Sequence, residues 1–240
     1  MKKLFLSVFG LMSVMLCTEA VAQAMYGKVS GYDTKAHYQT ANGDYLTGTV
    51  RSYYESGALQ TEENYKDGKL DGIRKEYYET GALRTEISYR FGIQDGFTRH
   101  YYETGALQAE IYYKVDSPYG MIKEYSESGN LVCETNMKGG KQNGIKKWYY
   151  ESGALQAEIN YKNDKMNGIA KWYYESGALK SEVNYRDDKK NGIKKEYYES
   201  GALKFEETYK DDKRNGLSKE YYENGVLKIE VNYKDDKKNG

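Results

Sequence analysis

One unit of 24 residues constrains this chain more than any other feature. Residues 192–215 read GIKKEYYESGALKFEETYKDDKRN, and nearly everything from residue 49 onward is a copy of them. The glycine of the Tyr-Tyr-Glu-x-Gly motif recurs at Gly57, Gly81, Gly105, Gly129, Gly153, Gly177, Gly201 and Gly225. A leucine follows two places later in every copy, at Leu59, Leu83, Leu107, Leu131, Leu155, Leu179, Leu203 and Leu227. A second glycine series, from Gly48 through Gly72 and Gly192 to Gly240, keeps the same step without one insertion. A fixed period in this range marks a repeat architecture, in which each unit buries its apolar face only against its neighbours.

Each unit reads as a β-hairpin. Two runs of strand-forming residues, such as Ile193 to Tyr198 and Leu203 to Tyr209, flank a Glu-(Ser/Thr/Asn)-Gly loop. A three-residue loop closing on a left-handed glycine is a common hairpin connection, and glycine in all eight units is what a positive φ demands. That loop pairs Tyr197 with Leu203, Lys195 with Phe205 and Ile193 with Glu207. It also sets Glu76 against Arg84, Glu196 against Lys204 and Glu220 against Lys228, opposite charges worth roughly 0.2–1 kcal/mol per pair. A two-residue Ser-Gly loop would instead set Lys195 against Glu206. The three-residue register is preferred, and it collects Ile169, Tyr173, Leu179, Val183 and Tyr185 on one face. The connection between units, Arg186 to Gly192, reads as a polar turn ending in Asn-Gly. The expected fold is all-β: an elongated, twisted antiparallel meander of tandem hairpins.

The two ends differ from the array. Met1-Lys2-Lys3 is a basic head, Leu4 to Leu16 an apolar run, and Ala22-Gln23-Ala24 a small-x-small cleavage site, so residues 1–24 read as a secretory signal peptide. The apolar run is too short for a comfortable membrane span. Leu16 is not the small residue expected before a lipidated cysteine, which weighs against Cys17 as a lipid anchor. Residues 25–48 have the length of one unit and little of its pattern, and read as a degenerate N-terminal cap; residues 49–240 are eight repeats. Removal of the signal leaves Cys133 as the sole cysteine, so packing rather than disulfides must hold the chain together. The C-terminal run from Tyr233 to Gly240 stops where earlier units enter a new strand. An open edge there invites further repeats or pairing with a partner strand.

The run Gly-x-x-x-x-Tyr-Tyr-x-x-Gly-x-Leu-x-x-Glu-x-x-Tyr-Lys-Asp-Gly-Lys-x-x-Gly resembles the MORN-repeat variant family (membrane occupation and recognition nexus), including its branch of YwqK-type antitoxins. The resemblance covers residues 49–240. It implies an extended hairpin sheet that serves as a scaffold or partner-binding surface, without enzymatic activity. A signal peptide sits awkwardly with a cytoplasmic antitoxin. The chain carries 36 basic and 36 acidic residues, and that neutrality gives little support to lipid or nucleic-acid binding.

No catalytic, cofactor or metal site is expected. Asp67-Gly68-Lys69-Leu70-Asp71-Gly72 has the acids and glycine of a calcium loop, but Lys69 opposes a cation and Tyr78 stands where the bidentate Glu belongs, so it reads as a turn. The in-phase row Glu62, Glu86, Glu110, Glu134, Glu158, Glu182, Glu206 and Glu230 reads as a solvated ladder. His37 and His100 have no spacing for zinc or a triad. Unit 4, with Ser126, Cys133 and Met137, and with Pro118 just before it, is the departure from pattern where a bend or special site would sit.

The function expected is that of a non-enzymatic exported scaffold, periplasmic, cell-surface or extracellular, bound to a protein or an envelope component. The alternative is a choline- or glycan-binding wall module, because aromatic faces bind quaternary ammonium groups and sugars. Its aromatic box would use Tyr102, Trp148, Tyr150, Trp172 and Tyr174. A third reading is a toxin-binding antitoxin or immunity protein.

Overall fold

A computed structural model describes Gln39 and residues 43–239. The signal peptide, most of the cap, His37 and Gly240 lie outside the described residues. The described chain forms one 19-stranded sheet in which successive strands pair antiparallel, so the meander is the observed architecture. Eight long hairpins follow one another, from Gly48–Tyr53 with Leu59–Lys66 to Lys213–Tyr221 with Leu227–Lys234. Three two-residue strands, Lys69–Leu70, Ser117–Pro118 and Lys237–Lys238, complete the count.

The loop inside each hairpin is the one the repeated glycine demands. Gly201 has φ 86. Its N–H donates to Tyr198 O, and Tyr198 N–H donates to Ala202 O, both at 2.9 Å, which leaves Glu199-Ser200-Gly201 as the loop. The equivalent glycines all lie between φ 82 and 89. A Cβ at Gly201 would meet nothing within 4 Å, so backbone conformation rather than space excludes other residues.

The hairpin body takes a register other than the one the loop alone predicts. Tyr197 faces Leu203, but a bulge follows, and Glu196 then pairs with Phe205, Lys195 with Glu206 and Ile193 with Thr208. Lys204 is the extra residue. The same shift occurs at this place in every hairpin, so the expected Lys195–Phe205 and Ile193–Glu207 pairs are replaced throughout. One consequence is that Ile169 and Tyr173 do not share the face of Val183. Ala170, Trp172, Ser181 and Val183 pair on the packed face, while Ile169 pairs with Asn184 on the other.

The connection between hairpins is shorter than its sequence suggests. Arg186 pairs with Lys189, and the two residues between them, Asp187 (φ 48) and Asp188 (φ 68), both take positive φ. This is the type I′ geometry that matches strand twist. The turn is therefore Asp-Asp, and Asn191-Gly192 belongs to the next strand. Gly192, at φ 119, sits in a bulge between the Val183–Lys194 and Tyr185–Lys190 pairs, where a Cβ would come within 3.1 Å of Asn184 Cβ. Asp67-Gly68 is the same two-residue turn in the stretch with calcium-like spacing. Phe91 and Val115 occupy the first turn position at φ 53 and 51, a strained conformation for such side chains.

Successive turns hold one another. Asp188 N–H donates to Met166 O at 3.0 Å, and Met166 N–H donates back to Asp188 Oδ1 at 2.7 Å. Asp116, Asp164, Asp212 and Asp236 repeat this reciprocal pair with Gln94, Gln142, Lys190 and Arg214.

The core is one face of the sheet. In its middle, small residues such as Ala109, Ala157 and Ala170 are buried beside Ile111, Ile122, Cys133 and Ile159. Bulges sharpen local twist, and a curled sheet lets side chains on its inner face cover one another. Towards the first hairpins the face turns polar. Glu63 and Arg74, both buried, pair at 2.7 Å, and Tyr65 OH donates to Glu63. Unit 4 forms the same hairpin as the others, and its odd residues Cys133 and Met137 are core.

Two outcomes follow from this packing. Gly201→Val should cost about 1–3 kcal/mol in a denaturant melt, while Lys189→Gln, exposed beside its turn, stays within about 0.5 kcal/mol; equal stability of the two variants would remove the loop assignment. Burial pushes the Cys133 thiol up to about 11. A thiol reagent at neutral pH should leave Cys133 unmodified in the folded chain and label it after denaturation; rapid labelling of the folded protein would place the residue elsewhere.

Candidate interaction surface

The face opposite the core is organised as parallel rows that run across the strands. One row alternates cation and carboxylate, with Lys147 facing Glu158, Lys171 facing Glu182 and Lys195 facing Glu206. Arg99 and Glu110 approach to 2.7 Å and Lys219 and Glu230 to 3.2 Å. The glutamates also take the first tyrosine of the following unit: Tyr149, Tyr173 and Tyr197 donate their hydroxyls to Glu134, Glu158 and Glu182 at 2.8–3.0 Å. Desolvation, and then the neighbouring carboxylate, push these three phenols up to about 12. The glutamate row is thus a paired structural ladder rather than a merely solvated one, because the observed register brings Lys and Glu directly opposite.

The second tyrosine of each motif is a strut to the next hairpin. The hydroxyls of Tyr54, Tyr78, Tyr102, Tyr150, Tyr174 and Tyr198 donate to the main-chain oxygens of Tyr77, Tyr101, Tyr125, Tyr173, Tyr197 and Tyr221 at 2.7–3.0 Å. Ser126 is too short for this role, and Asn130 Nδ2 reaches Glu151 O instead.

The five aromatics singled out as a ligand box do not form one cluster. Tyr102, Tyr150 and Tyr174 spend their hydroxyls on the struts. The ring of Tyr174 lies under Lys180 Nζ at 5.4 Å, an arrangement repeated by Lys204 over Tyr198 and Lys228 over Tyr222. Trp148 and Trp172 lie in the packed face, opposite Ala157 and Ser181. Trp148 is buried with Lys146 over its ring at 4.8 Å.

What sequence reading missed is a row of exposed apolar side chains beside the ladder. Ile73, Phe97, Met121, Ile145, Ile169, Ile193 and Leu217 each follow a repeat glycine and are 38–46% exposed. All pair with a residue at one position of the neighbouring strand, as Ile145 does with Asn160 and Ile193 with Thr208. The row is therefore continuous through seven hairpins, stepping about 10 Å, or two strand spacings, each time. Its polar neighbours are already satisfied: Asn64, Asn136, Asn160 and Asn184 donate Nδ2–H to the main-chain oxygens of Ile73, Ile145, Ile169 and Ile193. Phe97 and Tyr112 widen the row with an edge-on ring contact at 5.2 Å.

A second feature is a charged open hollow of about 390 Å³ on the packed face near the C-terminal hairpins. Its groups satisfy one another. Lys194 pairs with Glu196 at 2.6 Å, Tyr209 OH donates to Glu207, and Arg214 lies 3.8 Å from Glu207 and 3.3 Å from Asp236. His100 lies on the same face near Thr85 Oγ1, with desolvation lowering its pKa.

Comparisons with known proteins bear on the repeat itself. No curated protein matches the chain. Among solved structures, it resembles at 15% identity a chain of the TcdB2-TccC3-Cdc42 crystal structure, with a TM-score of 0.20, covering 82% of this chain and 15% of that one. It also resembles the TCP10 domain of Danio rerio CPAP, solved with a peptide of Danio rerio STIL, at 15% identity and a TM-score of 0.20, covering 78% of this chain and all of that one. The family model described as "MORN repeat variant" matches residues 46–67, 70–90, 94–114, 142–163, 166–187, 190–211 and 214–235. The stretch it passes over holds the hairpin with Ser126, Cys133 and Met137, which keeps the fold while losing the signature. Seven tandem matches over more than half its length place the chain in the MORN repeat variant family.

Proposed function

We propose that this protein is an exported, non-enzymatic repeat scaffold that binds a protein or cell-envelope component across the ladder face of its sheet. The single observation that carries this reading is the apolar row of Ile73, Phe97, Met121, Ile145, Ile169, Ile193 and Leu217, held exposed at one position in seven successive hairpins. A regular row of exposed apolar side chains, interleaved with small polar ones and flanked by charge, is a surface suited to association. Membership of the MORN repeat variant family supports a binding role in general. Export rests on the basic head, apolar run and cleavage site of residues 1–24.

The wall-module reading needs open aromatic faces. Lysines cover the rings of Tyr174, Tyr198 and Tyr222, which weighs against choline, since a cation already occupies each ring.

Two measurements test the proposal. Expressed from its own start codon, the chain should leave the cytoplasm and begin at Met25 by mass spectrometry; retention inside the cell with Met1 intact would overturn export. The immobilised protein should retain a component of solubilised envelope fractions, and Ile145→Lys with Ile169→Lys should lose it. Release by free choline or glycan would assign the wall module instead.

A further inference from the structure

We infer that the face carrying the apolar row docks on the same face of a second copy of this chain, the two sheets packing face to face about a two-fold axis with the large side chains of the two rows interleaved. The inference rests on the reading that this face is the binding face, and it names the occupant.

Spacing favours a copy. The row repeats once per hairpin at a step set by two strand spacings, and the sheet carries the same two bulges in each hairpin. A second copy has the identical step by construction, so the two rows stay in phase from one hairpin to the next. Any other partner would have to match that step over seven positions.

Charge favours the same answer. The ladder beside the row alternates Lys or Arg with Glu, strand by strand. A partner of one sign would leave half of these groups facing like or no charge. A reversed copy, with its axis between the strands Lys141–Tyr149 and Leu155–Lys162, is offset by one strand. In that arrangement Lys147 meets the second copy's Glu158, and Ile145 meets the second copy's Asn160. Large side chains then face the smaller Asn160, Asn184, Ser88 and Thr208, and Ile193 meets the exposed ring of Tyr112, while Lys and Glu alternate across the interface. Opposed potentials of this kind fix register more than they add affinity.

Covering the asparagine positions costs little. The asparagine amides already donate to main-chain oxygens of the neighbouring strand, so burial strands few polar groups. Seven side chains exposed by about two-fifths, with the aliphatic stems of the flanking lysines, amount to on the order of 800 Å² per copy, the area a specific interface requires.

Sedimentation equilibrium of the full chain tests this. The wild type should be a dimer at micromolar concentration. Ile145→Lys with Ile169→Lys should weaken association at least tenfold, with the circular dichroism spectrum unchanged because both sites are exposed on the sheet and the melting curve lowered only by the stabilisation that association itself supplies. Leu227→Lys, on the last long strand and outside the row, should leave the dimer intact. A wild type that stays monomeric at high micromolar concentration would overturn the inference. So would association that survives the double variant but is lost with Leu227→Lys, since that would make it strand-edge pairing. Binding of a monomeric wild type to phosphatidylcholine–phosphatidylglycerol vesicles through the row would assign a lipid surface instead. Dimerisation without envelope retention would sustain the self-docking and overturn the envelope reading, and retention by a monomer would do the reverse.

Discussion

Backbone hydrogen bonding that runs unbroken from one hairpin into the next is the interaction on which the rest of this sheet depends. An isolated two-stranded hairpin is marginal in water, and here each strand has a partner on both sides except at the margins. The side-chain bonds reinforce the same continuity. The tyrosine hydroxyls and turn carboxylates reach groups of an adjacent hairpin, at separations of 15, 22 or 23 residues, while most ion pairs of the glutamate ladder close within a hairpin. Stability therefore belongs to neighbouring pairs of units more than to any unit alone.

Two bulges per hairpin reconcile that continuity with a chain that must turn twice in 24 residues. The bulge at Lys204 moves the strand body by one residue after the three-residue loop. The bulge at Gly192 absorbs two residues after the I′ turn. Without the first, Lys195 would face Phe205 and the glutamates would lose the opposite charges that now flank them. With it, the packed face gathers Ala170, Val183 and Trp172, and the isoleucine after each glycine is turned outward. The same local event thus builds the core and exposes the surface proposed to bind.

Charge is handled by pairing rather than by avoidance. The buried Glu63–Arg74 pair is costly to break, since either partner alone would be left charged in the core. The exposed ladder is worth little pair by pair, but it keeps the face neutral and evenly patterned. A face of that kind suits matching against a patterned partner better than attracting nucleic acid or anionic lipid by net field.

The repeat period, the left-handed glycine of the loop, the hairpin meander and the membership in the repeat family were all legible in the linear order of residues. Each depends on local chemistry: a glycine where φ must be positive, strand-forming runs of fitting length, and copies spaced by a constant step. The register of the hairpin body, the position of the second turn and the identity of the exposed row were decided only in three dimensions. A bulge is invisible in the residue pattern, because Lys204 looks like any other strand residue, and one extra residue exchanges every side chain between faces. For that reason Ile169 and its equivalents read as core in the sequence and stand as surface in the fold, and the second tyrosine of the motif, which the sequence offers as packing or as a ligand aromatic, is a strut to the neighbouring hairpin.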